Sequence, residues 1–338
     1  MQTEKRWIFI VYITLIFASS IPPTSLAGIW TSKSNMLRPK QDLKLVEING
    51  IIYAMGGNSS ARQDVEAYDL VTNKWTRKAN IPTPREEMGV SVVNGLIYCI
   101  GGQGSREYHT EVEIYDPGTD TWTRGTDMPT SRRALQSAAV NDIIYVFGGG
   151  KDSQWIKIVE AYDPVTDTWT KKSDMLRIQG WPDVVVIDNK IYVTGWDSGG
   201  WDMQVYDPET DTWAFELRTD KWSKWSMTTC VLNDEIYIIG GAAGNPGVPE
   251  TPGTEIYAYN PMTKALRLEG YMEVPVAYSD SIVVNGKIYV IGGWWYGKAG
   301  RNSMLEFNPL AAPPAHQTRD VDAKGKQTSI WGTLKTTE

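Results

Sequence analysis

One five-residue pattern recurs six times, and a chain carrying six copies of one short unit is confined to folds made by stacking that unit. Tyr53-Ala-Met-Gly56-Gly57 returns as Tyr98 to Gly102, Tyr145 to Gly149, Tyr192 to Trp196, Tyr237 to Gly241 and Tyr289 to Gly293, with Trp196 in place of a second glycine in the fourth copy. The first glycines, Gly56, Gly101, Gly148, Gly195, Gly240 and Gly292, stand 45, 47, 47, 45 and 52 residues apart. Downstream of each comes a second element: Glu66-Ala-Tyr68-Asp69, Glu113-Ile-Tyr115-Asp116, Glu160-Ala-Tyr162-Asp163 and Gln204-Val-Tyr206-Asp207, then the drifted Tyr257-Ala-Tyr259-Asn260 and Leu305-Glu-Phe307-Asn308. Seven residues after the first four of these tyrosines stands Trp75, Trp122, Trp169 or Trp213.

Before every doublet lies a pair that tolerates positive φ: Asn49-Gly50, Asn94-Gly95, Asn141-Asp142, Asp188-Asn189, Asn233-Asp234 and Asn285-Gly286. Flanked by apolar residues, such pairs specify tight hairpins. The run after each pair, for instance Ile143 to Phe147, is almost continuously apolar and β-branched or aromatic, which predicts a strand buried on both faces. Glycine ends it where a Cβ would meet neighbouring backbone or forbid the needed φ. Asp then caps a turn with its side chain, and the Trp lies on the following strand, facing the wedge between sheets.

These motifs at these offsets resemble the kelch family, and the resemblance covers nearly all of residues 28–309, or 47 residues per unit. It implies an all-β, six-bladed kelch β-propeller. Trp30 lies 45 residues before Trp75, and Gly28-Ile-Trp30-Thr resembles the Trp strands, while the sixth unit has none of its own. The strand that opens the mature chain is therefore expected to complete the last blade and leave no free sheet edge.

Residues 1–27 read as a cleaved signal peptide. Lys5 and Arg6 precede an uncharged, mostly apolar run, and Ser25-Leu-Ala27 presents small residues to a signal peptidase. The run from Trp7 to Ile21 is shorter than the ~20 residues of a spanning helix, so no membrane span is expected after cleavage and the protein is expected to be secreted or periplasmic. Residues 310–338, with Pro313-Pro314 and a polar remainder, read as a disordered tail.

Charge and composition remove several function classes. Lys plus Arg number 33 against 40 Asp plus Glu, a net −7, which gives no footing on a phosphate backbone and argues against nucleic acid. The two histidines, His109 and His316, cannot make a three-His metal site, and Cys99 and Cys230 fall in apolar strands of different repeats, as buried free thiols would. Neither a P-loop nor a Gly-x-Ser-x-Gly elbow occurs, so no metal, cofactor or catalytic residue is expected.

The departures from the repeat are aromatic. Trp155, Trp201, Trp294, Trp295 and Tyr296 fall in segments between second and third strands, and Trp181 and Trp222 in connections into the next blade. In kelch propellers these segments share one face. With Arg177 and Arg301 they form the candidate binding set for a protein or glycan partner of a monomeric scaffold. Trp196 and Trp225 are expected to be structural, and the insertion 242–254 to be a loop on the same face. The chain is also similar to exported kelch propellers that act as sialic acid mutarotases, which would make Arg38, Arg85, Arg132 and Arg177 channel-mouth groups; the alternative is that these arginines bond loop carbonyls or a repeat's own carboxylate.

Overall fold

The computed structural model describes residues 28–309 except 106, 153, 198–199, 220–223, 244–250 and 295–300. The leader, the tail, the tip of the 242–254 insertion, and Trp222, Trp295 and Tyr296 thus lie outside the described residues.

The first repeat sets the pattern. Strands β2 (Lys44–Ile48), β3 (Ile51–Met55), β4 (Val65–Asp69) and β5 (Lys74–Arg77) follow β1 (Ile29–Ser32) and form one antiparallel sheet in the order β2-β3-β4-β5. Three more four-stranded sheets repeat it, starting at Gly89–Val93, Gln136–Val140 and Gly180–Ile187. The remainder is one seven-stranded sheet and a two-stranded ribbon, Gly150–Lys151 with Gln154–Trp155. The 20-residue strand Ala265–Val284 of the seven-stranded sheet pairs with Thr251–Asn260 mainly through residues 265–271 and with Lys287–Trp294 through residues 277–284. The inner strands touch in cyclic order, from β2 through each repeat to the second half of Ala265–Val284 and back to β2. The architecture is an all-β propeller.

All six hairpins form at the expected pairs, with φ of 50–53° on the first residue of each and positive φ on the second. The strands that follow are buried as their composition requires: Ile144, Val146 and Phe147 are fully covered. Tyr53, Tyr98 and Tyr145 each meet the second-motif tyrosine of the next repeat, Tyr115, Tyr162 or Tyr206, with ring centroids 5.7–6.2 Å apart. Adjacent sheets are thereby packed by the two motif tyrosines together.

The Trp residues stitch sheet to sheet rather than merely filling the wedge. Nε1 of Trp75, Trp122, Trp169 and Trp213 donates to the carbonyl of Ser34, Ala79, Thr126 and Ser173, each in the connection preceding that repeat. Beside them Tyr115, Tyr162 and Tyr206 donate to Asp120, Asp167 and Asp211, which in turn accept the amides of Ala79, Thr126 and Ser173.

The N-terminal strand joins the C-terminal sheet. β1 pairs antiparallel with Met304–Asn308, and Trp30 stands opposite Phe307 as Trp75 stands opposite Tyr68. The two rings are 5.0 Å apart.

Candidate functional site

Three features converge where the inner strands begin. The first is a set of buried polar side chains. Lys40, Arg85, Arg132 and Gln179 each reach the backbone carbonyl fourteen residues ahead, those of Ala54, Cys99, Val146 and Val193. Three of them meet the Glu of the repeat's second motif: Lys40–Glu66 at 3.2 Å, Arg85–Glu113 at 2.6 Å and Arg132–Glu160 at 3.0 Å. This corrects the sequence register of the recurring base, because the equivalents of Arg85 and Arg132 are Lys40 and Gln179, two residues beyond Arg38 and Arg177. The Arg85 and Arg132 side chains are fully covered and bond loop carbonyls and their own repeat's carboxylate, so they do not line the channel mouth. In the fourth repeat both charges are gone, with Gln179 bonded to Asp202 and Gln204 to the Arg177 backbone.

Burial lowers the Arg132 guanidinium to about 10, with Glu160 opposing the shift. Arg132→Met leaves the Glu160 carboxylate covered and unpaired, which costs about 3–5 kcal/mol. The double change Arg132→Met/Glu160→Leu removes both charges and should recover most of it. Urea midpoints of the two variants check this; equal losses would mean the carboxylate is hydrated once the base is gone.

The second feature had no sequence signal. Two residues past each buried polar side chain, or at the matching place, Asp42, Glu87, Ala134, Trp181, Ser226 and Tyr278 all take φ of 45–56°. This left-handed ring surrounds a small cavity of about 60 Å³ at the channel mouth, into which Lys44, Asp183 and Asp280 are also set. Asp183 and Asp280 tie neighbouring inner strands together: Asp183 accepts from Gln136 and Thr229, and Asp280 from Leu45 and Thr228. Burial pushes the Asp42 carboxyl up to about 7, with Glu87 adding and Lys44 opposing. Burial raises Glu87 as well, against Arg133 3.3 Å away.

The third feature is an aromatic groove between the third and fourth repeats. Trp155, Lys157, Leu176, Arg177, Ile178, Gly180 and Trp196 line about 460 Å³. Gly180 has no side chain because a Cβ there would lie 3.3 Å from the Trp155 indole. Trp155 meets Trp181 edge to face, centroids 4.8 Å apart, so Trp181 divides the groove from the channel mouth. The Arg177 guanidinium lies 5.4 Å above the Phe215 ring, which is 54% exposed.

The model of the KLHDC2/KLHL20/DRC7 Kelch-repeats domain matches residues 43–241, more than half of the chain. The chain belongs to the kelch-repeat family. Human Kelch repeat and BTB domain-containing protein 12 is 28% identical over 155 residues, 39% of this chain and 24% of that protein. The same protein of Danio rerio is 33% identical over 128 residues, 35% of this chain and 20% of that one. These matches span a quarter or less of the relatives' length. The solved structure of YjhT superposes with a TM-score of 0.72 at 19% identity, over 80% of this chain and 95% of that one, which shows a shared fold.

On this kelch propeller the candidate residues separate. Trp155, Trp181 and Arg177 come together in the groove, where Trp196 joins them as a lining residue rather than a purely structural one. Trp294 is half-buried elsewhere on the rim, its ring 6.5 Å from Tyr278, and Arg301 donates its amide to the Gly293 carbonyl. Trp201 is a correction. At 2% exposure it packs with Val185, Tyr192, Met203 and Tyr259 and presents no surface to a partner. Cys99 and Cys230 are buried free thiols. Among the described residues no group of three or more His, Cys, Asp or Glu is placed to hold a metal ion.

Proposed function

We propose that this kelch protein is a non-catalytic scaffold that binds a protein or glycan partner through its loop face, and that residues 1–27 direct its export to the periplasm or medium. Taken as two blades, the seven-stranded sheet makes the ring six-bladed, in agreement with six sequence repeats and six inner strands in cyclic contact. The observation that carries the binding reading is the groove: Trp155 and Trp196, half-buried, stand with Arg177 in a concavity large enough for a ligand of ordinary size. Apolar surface held open in this way marks recognition rather than packing.

Iodide quenching of tryptophan fluorescence tests it. The quenchable fraction should fall in Trp155→Phe/Trp196→Phe, and one class among a panel of oligosaccharides and envelope proteins should protect it in the parent chain. If no Trp is quenchable, or none is protected, the groove is packing.

The channel mouth favours one second reading, a carbohydrate mutarotase or epimerase. A carboxyl displaced to near neutrality, as Asp42 is, can both donate and accept a proton at a sugar oxygen. Faster anomer exchange of a sugar in the same panel, lost in Asp42→Asn, would establish it over the scaffold.

A further inference from the structure

We infer that the cavity at the channel mouth binds a primary ammonium group, carried on a ligand whose body stays outside on the rim. This rests neither on the aromatic groove nor on the exchange of sugar anomers. Four observations carry it.

The first is negative charge with spare acceptor capacity. Among the described residues lining the cavity, Asp42, Glu87, Asp183 and Asp280 come from four different repeats and face one base, Lys44. Two of the four are saturated. Asp183 accepts from Gln136, from the Val184 amide and from both the amide and hydroxyl of Thr229, and Asp280 from the amides of Leu45 and Ser281 and the hydroxyl of Thr228. Asp42 and Glu87 are not, for they accept from Gln41 at 3.5 Å and from Arg133 at 3.3 Å, while a carboxylate offers about four acceptor sites.

The second observation is independent of the acids. Ser226 also lines the cavity, and its Oγ is wholly covered with no hydrogen-bond partner. A covered hydroxyl in that state calls for a partner from outside the chain. The third is size and wall: about 60 Å³ is the share of two waters, room for an ammonium head but not for a ring. Trp181 walls it, and an aromatic wall beside carboxylates suits an organic cation. The fourth separates that cation from a metal. Among the described residues no three acids are placed to hold a metal ion, whereas an ammonium carries three directed donors that reach separated acceptors. Asp42, Glu87 and the Ser226 oxygen meet those donors, and the saturated Asp183 and Asp280 add their field.

Binding is then linked to a proton. The Asp42 carboxyl stands at about 7 through burial and Glu87, so an ammonium placed beside it expels the proton. The groups that face Asp42 are Glu87, Glu86, Lys44 and Gln41, with Arg133 paired to Glu87 and Arg62 to Glu86. Burial raises Asp183 across the cavity as well, Lys44 opposing and Asp280 adding.

Calorimetric titration of the folded chain tests the inference with four probes. Nα-acetyl-lysine amide and an aminohexyl glucoside present the ammonium on a peptide-like and on a sugar body, a hydroxyhexyl glucoside lacks it, and calcium chloride supplies a bare cation. The amines are expected to bind, and the hydroxyl analogue about ten-fold more weakly or not at all. Amine affinity should rise about ten-fold from pH 6 to pH 8, with about one proton released per ligand at pH 6, read from heats in buffers of different ionisation enthalpy. Asp42→Asn, which suits the φ of 56° there, should abolish the proton release and weaken binding at pH 8 about ten-fold. Ser226→Ala should weaken it about three-fold and leave the pH dependence in place. Lys44→Met, which removes the competing base, should tighten it, and Trp196→Phe, in the groove beyond Trp181, should change nothing.

Binding by either amine supports the site, and the one that binds more tightly names the body that carries the ammonium. Equal binding of the hydroxyl analogue, amine binding without proton release, or amine binding unchanged by both Asp42→Asn and Ser226→Ala overturns the proposal. Calcium bound with no amine bound overturns the ammonium class, and failure of every probe overturns the site while leaving the groove untouched.

Discussion

Gly149→Val is expected to yield no folded protein, while Gly150→Ala, one residue on, is expected to be silent. A Cβ on Gly149 would lie 2.5 Å from the Arg133 carbonyl oxygen, which belongs to backbone and cannot step aside, and the residue holds φ at +92°. The left-handed conformation alone costs about 1–2 kcal/mol for a residue with a Cβ, and more for a β-branched one. Displacing packed backbone adds about 1–3 kcal/mol, so a Val here takes up much of the ~5–15 kcal/mol that holds a domain together. Gly148→Val should fail as well, with φ at +53°, though its Cβ first meets the flexible end of Met175 at 2.8 Å. Gly150 has no positive φ, and its Cβ would rest in ordinary contact at 3.7 Å. Soluble yield and a circular-dichroism melt separate the three. A folded Gly149→Val protein melting within a few degrees of the parent would mean that the strand end can be rebuilt.

The fourth repeat already shows how that rebuilding goes. Trp196 occupies the second glycine's place, and Gly195 has no positive φ; instead the strand Lys190–Asp197 runs on, pairing Trp196 with Gly180 and with Trp201. A side chain is accepted there only because the backbone stays extended. The same extension turns Trp201 into the core, which explains why a tryptophan that sequence places on a loop lies at 2% exposure.

Other features were legible to the degree that local chemistry decides them. A positive-φ hairpin pair demands Asn, Asp or Gly, so six hairpins could be read directly, and the fixed offset of Trp30 from Trp75 disclosed the ring closure. The buried base was misplaced in two repeats because Arg38 and Arg177 stand two residues before Lys40 and Gln179, and residue type pointed to them. Counting fourteen residues back from the strand carbonyl would have found both. The left-handed ring of Asp42, Glu87, Ala134, Trp181, Ser226 and Tyr278 had no such handle. Six different residue types adopt it, so tertiary packing imposes the conformation and no propensity announces it. The acidic channel mouth was missed for the same reason, since its carboxylates come from separate repeats and converge only when the ring closes.

Removing residues 28–32 from the leader-free chain is expected to lower the melting temperature by roughly 10 °C, whereas removing 316–338 should change it little. Deletion takes away the ladder from β1 to Met304–Asn308, the Trp30 ring against Phe307, and the Thr31 hydroxyl donated to Glu306. Loss of a packed Trp side chain alone costs about 3 kcal/mol, and about 2–4 °C accompanies each kcal/mol in a domain of this size. The larger consequence is the edge it exposes. Met304, Leu305, Glu306 and Phe307 are all buried, and without β1 their strand would present unpaired backbone beside apolar side chains, a template for pairing with another copy. The truncated chain should therefore also aggregate on heating, and a synthetic peptide of residues 28–33 should restore part of the lost stability in a concentration-dependent way. Differential scanning calorimetry with and without the peptide checks both. Equal losses from the two truncations, or no rescue at any peptide concentration, would mean that the ring holds without its closing strand and that the contacts among the six inner strands suffice.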